Sequence, residues 1–335
     1  MPHRFRNVTK IISLLLAALF AYGCSSVRSR HVAMTISKLG EFRQLLTSVK
    51  HNLRVEKWQG DHRDFRYQNG PWSIRKLSLH GGVQEGVDVI EVDNGRLRFT
   101  VIPTRGMSVG RVDCGAIRLG WDSPVRQTVH PKHVDLQDHG GLGWLGGFNE
   151  WMVRCGVSFA GHPGEDDGRL LTLHGRIGNI PAAEVEVVVD ASPPHRIRIR
   201  GLVEERIFKF AAFDLWTEIS TVPGSNTFRI EDRLVNKSSY AREYQIIYHA
   251  NFGPPLLEAG AQFVAPVHRV YPFDEYAAKD LASWTSYLGP TRDYGEQVYC
   301  VEPFADANGG TSVMLHNAKG NRGVALHYEV GGLPY

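Results

Sequence analysis

From about Gly86 onward the chain alternates apolar and polar residues with a period of two, so each segment can bury only one of its faces. Leu97, Phe99 and Val101 fall on one side of their segment, as do Val185, Val187 and Val189, while Ile197 and Ile199 are interleaved with arginines. Such faces need a second sheet to cover them. The stretches Ser192-Pro193-Pro194 and Pro223-Gly224-Ser225-Asn226 between segments have no room for crossover helices, so successive strands are expected to run antiparallel. Helical patterning is confined to residues 37–49 and to a short stretch within 276–287. The reading is an all-β sandwich of large antiparallel sheets. With 335 residues, 42% of them hydrophobic, and no internal repeat, the chain can fill one such core. Residues 61–335 are expected to form that domain, preceded by a segment at 24–60 carrying a short helix.

Charge narrows the partners. Lys and Arg total 38 against 35 for Asp and Glu, a formal charge of +3, which gives no basic surface for nucleic acid. The N-terminus is more telling. Arg4, Arg6 and Lys10 precede an apolar run from Ile11 to Phe20, which ends at Ala21-Tyr22-Gly23-Cys24-Ser25-Ser26. This order of charged, apolar and small residues is that of a secretory signal peptide over residues 1–23, and the run is too short to span a bilayer. The small-residue box resembles a lipoprotein cleavage site in which Cys24 carries the lipid, so a membrane would be met only through that anchor, on the periplasmic side of the cell envelope. A start at Met34 would instead give a cytoplasmic chain. The remaining Cys114, Cys155 and Cys300 are odd in number and form no CxxC pair. Nor do His80, His130, His133 and His139 have the spacing of metal ligands, so no metal is expected.

Four clusters interrupt the alternation: Pro103-Thr104-Arg105-Gly106-Met107, Leu119-Gly120-Trp121-Asp122-Ser123-Pro124, Leu173-His174-Gly175-Arg176-Ile177 and Tyr248-His249-Ala250-Asn251-Phe252-Gly253. Each sets glycine or proline beside a polar side chain at a strand end, where the backbone can turn sharply and a ligand can come close.

With the further runs Gly143-Trp144-Leu145, Gly147-Phe148 and Glu296-Gln297-Val298-Tyr299, this ordered series resembles a little-characterised branch of the aldose 1-epimerase (galactose mutarotase-like) superfamily, over roughly residues 40–335. The resemblance implies a β-supersandwich with a mono- or oligosaccharide, or a sugar derivative, bound on one concave sheet. Exchange of anomers needs a proton given to the ring oxygen and another taken from the anomeric hydroxyl, with no cofactor. Histidine suits this because it titrates near neutrality. By resemblance His249 matches the general acid, and His174 the histidine on the ring-oxygen side. Arg105 and Arg176 would donate to sugar hydroxyls, Asp274 and Gln297 would add hydroxyl contacts, and Trp144 or Trp121 would stack on a pyranose. The sequence departs from the pattern at its end. The family's general base is a glutamate in a segment beyond the last core strands, whereas this sequence stops at Gly332-Leu333-Pro334-Tyr335, and Glu302 lies too early to replace it. A C-terminally truncated epimerase is therefore expected. A non-catalytic carbohydrate-binding protein, or a lyase on the same scaffold, are the alternatives. The sequence fixes neither the sugar nor the oligomeric state.

If Cys24 carries a lipid, Cys24→Ser will move the protein from the membrane to the soluble fraction. Unchanged fractionation would exclude the anchor.

Overall fold

A computed structural model describes residues 37, 40–68 and 70–333. The signal peptide and Cys24 lie outside these residues. Two antiparallel sheets dominate. The six-stranded sheet runs in the order Phe228–Asn236, Ala211–Thr221, Ile197–Ile207, Glu184–Asp190, Glu41–Ser48 and Leu53–Arg54. The eight-stranded sheet runs Gln245–Ala250, Met152–Val157, Ser108–Cys114, Leu97–Ile102, Asp88–Asp93, Ser73–Ser78 and Trp58–Asp61, and Ile117–Leu119 also pairs with Ser108–Cys114. Three smaller antiparallel sheets complete the described residues: Gly164–Asp166 with Arg169–Leu171; Gln262–Val264, Gly310–His316 and Gly323–Glu329; and Val267–Pro272 with Tyr299–Pro303. Among the described residues no helix is long and apolar enough to cross a membrane.

The alternation does what its period requires. Phe99, Val101, Val185, Val187, Val189, Ile197 and Ile199 are all buried in one core cluster between the large sheets. Burying a branched or aromatic side chain of this kind is worth about 1.5–3 kcal/mol, so this layer is the main source of stability. The short helix expected within residues 276–287 is present as Glu275–Ala278, with a 3₁₀ turn at Leu281–Ser283.

The helix expected over residues 37–49 is not formed. Glu41–Ser48 is a strand that pairs with Glu184–Asp190 and carries an irregularity between Leu45 and Thr47. Phe42 and Leu46 are the buried apolar residues of this segment. Their spacing of four fits one face of a helix and equally one face of a strand. The exposed edge of Glu184–Asp190 decides, because it offers a full ladder of hydrogen bonds that outweighs weak local propensity.

A polar latch crosses the core. Arg154, from the eight-stranded sheet, is fully buried and grips Asp232, from the six-stranded sheet, through both its Nε and its Nη2, the latter at 3.0 Å. Its Nη1 donates to the Met107 carbonyl at 3.0 Å. Asp232 also accepts from Tyr248 Oη and Thr217 Oγ1, both at 2.7 Å, so four strands share one carboxylate. Burial, with the Asp232 charge adding to it, pushes the Tyr248 hydroxyl well above its usual range. Glu205 makes a second tie, accepting from the Val157 amide at 2.9 Å and from Ser158.

Removing one partner of a buried ion pair strands the other charge in a poor solvent. Asp232→Ala is expected to lower the unfolding free energy by about 3–5 kcal/mol, read from urea midpoints. A loss below about 1 kcal/mol, the range of an exposed pair, would show that the latch does not hold the sheets together.

Candidate active site

The geometry of the site starts from a turn. Gly156 donates its amide to the His174 carbonyl at 3.0 Å, and His174 donates its own to Gly161 at 2.9 Å. These bonds fold the chain so tightly that His174 takes a positive φ of 57° and Gly175 one of 64°. A Cβ on Gly175 would stand 2.0 Å from the Phe159 carbonyl oxygen, so only glycine fits. The imidazole of His174 is thereby set in place, with Nδ1 3.1 Å from the Ala160 carbonyl. A carbonyl only accepts, so Nδ1 carries the hydrogen and Nε2 keeps its lone pair.

His249 arrives from the strand Gln245–Ala250, opposite Val153. The two imidazole centroids are 5.2 Å apart. Trp144 packs against both, at 4.7 Å from His174 and 5.9 Å from His249, and Phe148 meets His249 edge-on at 5.1 Å. The pair of histidines expected from the motifs is therefore brought together on an aromatic floor. Both are held below the ordinary imidazole pKa. For each the main cause is burial, which disfavours the charged form. The His162 charge adds to it at His174, and that of His174 adds to it at His249; a carbonyl bond from Ala160 and the charge of Glu296 pull the other way.

Arg105 does not fill the role expected of it. Its side chain is fully buried, and four bonds consume its guanidinium: Nε to Glu150 Oε1 at 2.7 Å, Nη1 to Asn179 Oδ1 at 2.6 Å and to the Val129 carbonyl at 3.4 Å, and Nη2 to the Gly147 carbonyl at 2.9 Å. A residue so placed cannot reach a sugar hydroxyl; it holds the walls of the site. Gly147 is glycine for the same reason, since a Cβ there would stand 2.6 Å from Arg105 Nη1. Glu150, which the motif reading missed, is the centre of this knot. Its carboxylate takes Arg105 and the Asn149 amide, and its backbone carbonyl accepts Trp121 Nε1 at 3.3 Å and Asn251 Nδ2 at 3.1 Å. The available signal was an acid standing alone in the otherwise uncharged run from Gly140 to Val153.

The other expected contacts divide. Arg176 is exposed, and no acceptor engages its guanidinium among the described residues. Trp144 is only 1% exposed, so it is floor and not a stacking platform. Asp274 caps the helix Glu275–Ala278, its Oδ1 accepting the Ala277 amide at 2.8 Å. Gln297 is bonded to Asp280 Oδ2 at 2.6 Å and Tyr294 Oη at 2.8 Å. Neither hydrogen-bonds to an imidazole. Trp121 packs at a tilt against Phe148, with centroids 4.9 Å apart, and borders a cavity of about 280 Å³ that also touches Arg118, Thr128 and Asn149. A larger cavity of about 480 Å³ lies on the six-stranded sheet beside Trp216 and the ion pair of Arg200 with Glu218, and contains none of the expected site residues. Among the described residues no cluster of His, Cys, Asp and Glu is placed to hold a metal ion.

Residues 84–335 match a family described as a domain of unknown function, DUF4432. A crystal structure from Klebsiella pneumoniae subsp. pneumoniae, of a protein described as a "putative aldose 1-epimerase", is 43% identical with a TM-score of 0.86, covering 88% of this chain and 77% of that one. A galactose mutarotase-like protein from Clostridium acetobutylicum is 11% identical with a TM-score of 0.42, over 78% of this chain and 81% of that one. No curated protein matches. The all-β architecture of large antiparallel sheets expected from the motifs is the one this chain adopts, and it is shared with the Klebsiella pneumoniae protein.

Removal of Glu150 would leave the Arg105 charge buried and unpaired, whereas Arg176 has nothing to lose. Glu150→Ala is expected to cost about 3–5 kcal/mol, and Arg176→Ala to stay within about 0.5 kcal/mol of the parent, both from urea unfolding. Equal effects would overturn this division between a structural and a free arginine.

Proposed function

We propose, from the premise that this chain belongs to the DUF4432 family and has the aldose 1-epimerase-like fold, that it interconverts the anomers of an aldose or aldose derivative. The observation that carries the proposal is the pair of partly buried imidazoles, 5.2 Å apart on the Trp144–Phe148 floor. Ring opening of a pyranose needs a proton at the ring oxygen as its bond to the anomeric carbon breaks. His249 as an imidazolium supplies it, and His174, whose Nε2 is a free acceptor, holds the same side of the ring. Closure on the other face of the carbonyl gives the other anomer. The unengaged guanidinium of Arg176 is suited to two parallel bonds to adjacent hydroxyls. These are proton transfers alone, so no cofactor takes part. The cell-envelope location suggested by the N-terminal residues, with a lipid on Cys24 as the membrane attachment, belongs to the same proposal.

The depressed imidazole pKa values set the pH dependence. A group whose pKa lies below the ordinary histidine value of about 6.5 is mostly neutral at pH 7, so the acid form grows as pH falls. Anomer exchange, followed by proton NMR, is expected to accelerate on going from about pH 8 to pH 6. His249→Ala should slow it by about 10²–10⁴-fold with unchanged far-ultraviolet circular dichroism. Parent-like exchange in that variant would remove His249 from the mechanism, and binding of sugar without turnover in the parent would favour a lectin-like protein.

A further inference from the structure

The cavity of about 480 Å³ on the six-stranded sheet has no part in the imidazole site, and its volume falls in the range of about 300–1,000 Å³ typical of small-molecule sites. Trp216 and Glu218 lie on the outward face of Ala211–Thr221, since Leu215, Thr217 and Ile219 between and beside them are buried. Register sets their surroundings. Arg233 stands directly opposite Trp216 on Phe228–Asn236, and Glu231 directly opposite Glu218. On the other side Arg200 stands opposite Glu218, and Glu186 opposite Arg200. The floor is fixed from beneath, because Thr217 and Asp232 turn their side chains inward to the Arg154 latch. Tyr248 also reaches that latch through the core, so its neighbour His249 points away from it. Both large sheets therefore separate this cavity from the imidazoles.

Several groups here have hydrogen-bonding capacity to spare. The Trp216 indole Nε1 and the Arg233 guanidinium donate to no acceptor among the described residues. Glu218 gives Oε2 to Arg200 Nε at 2.6 Å, which leaves Oε1 open. Glu231 is paired with Arg229 at 2.9 Å, yet it still faces Glu218, and like charges directly opposite on a ladder repel. Hydroxyl hydrogens placed between the two carboxylates relieve that repulsion. Three carboxylates against two guanidinium groups line the cavity, a balance that disfavours phosphate, sulfate or a uronate. A neutral polyol meets each of these features. Its hydroxyl hydrogens suit the carboxylates, its oxygens suit the indole and the guanidinium, and the C–H face of a sugar ring suits the flat indole. The row from Glu186 to Glu231 crosses four strands, about 14 Å at the usual spacing, which is longer than one pyranose.

We propose that this cavity is a second, non-catalytic saccharide site that takes a neutral oligosaccharide, with Trp216 as its platform and Arg233 as its free donor. The test is isothermal titration calorimetry on the full chain carrying His249→Ala. Maltotriose, cellotriose and β-1,4-galactotriose are the probes, with EDTA present so that no cation bridges the carboxylates. At least one trisaccharide should bind. Adding Trp216→Ala should weaken binding by about tenfold or more, and adding Arg233→Ala by about three- to tenfold. Arg233 is exposed and unbonded, so its variant keeps the urea midpoint of its parent and decides the matter even where Trp216→Ala fails to fold. Binding that neither substitution weakens would assign the sugar to another part of the chain and overturn the proposal, as would a failure of all three trisaccharides to bind. No step of the test uses turnover, so its result stands apart from the epimerase reading.

Discussion

The site depends on one buried charge pair that never meets a ligand. Arg105 and Glu150 are both sealed from solvent, and two opposite charges can stay in such a place only if each is fully engaged. The four motif clusters converge on this pair and on the main chain that carries it. Arg105 comes from the first. Trp121, from the second, donates to the Glu150 carbonyl. Asn179, two residues beyond the third cluster, supplies the oxygen for Arg105 Nη1. Asn251, from the fourth, donates to Glu150 as well. The glycines that accompany them leave room for this packing. His249 lies two residues before Asn251 and His174 five residues before Asn179, so both imidazoles are tied close to this knot.

Physical economy explains why the two histidines sit on aromatic rings. A ring beside an imidazole excludes water without offering a charge, and exclusion of water is what moves both imidazoles away from the protonated state. The cost is a smaller standing population of the protonated form. The gain is that any proton they do carry is weakly held and readily given up.

Much of this was legible in the sequence, for a reason that can be stated residue by residue. Strands such as Leu97–Ile102 and Glu184–Asp190 announce themselves because their side-chain period is local and their buried faces are uninterrupted. That His174 and His249 come together could be anticipated because each sits in a cluster whose glycines and asparagines have no reason to be in a plain strand. Glu41–Ser48 was misread because Phe42 and Leu46 satisfy two periodicities at once, and the edge that settles the matter is more than 130 residues away. Arg105 was misread for a related reason: a guanidinium next to a glycine looks the same in sequence whether it faces a solvent cleft or a carboxylate 45 residues later. Pairing is a property of the folded chain, and no local pattern encodes it.

The contrast between Arg105 and Arg176 reaches further than the chemistry of one site. One arginine is locked into the frame and the other stands free at the rim. The buried frame and the exposed surface are thus written in separate residues, with little energetic traffic between them. Mutations at the rim can be sampled without eroding the margin of stability that keeps the chain folded. A scaffold divided in this way can change its surface over generations while its frame stays still.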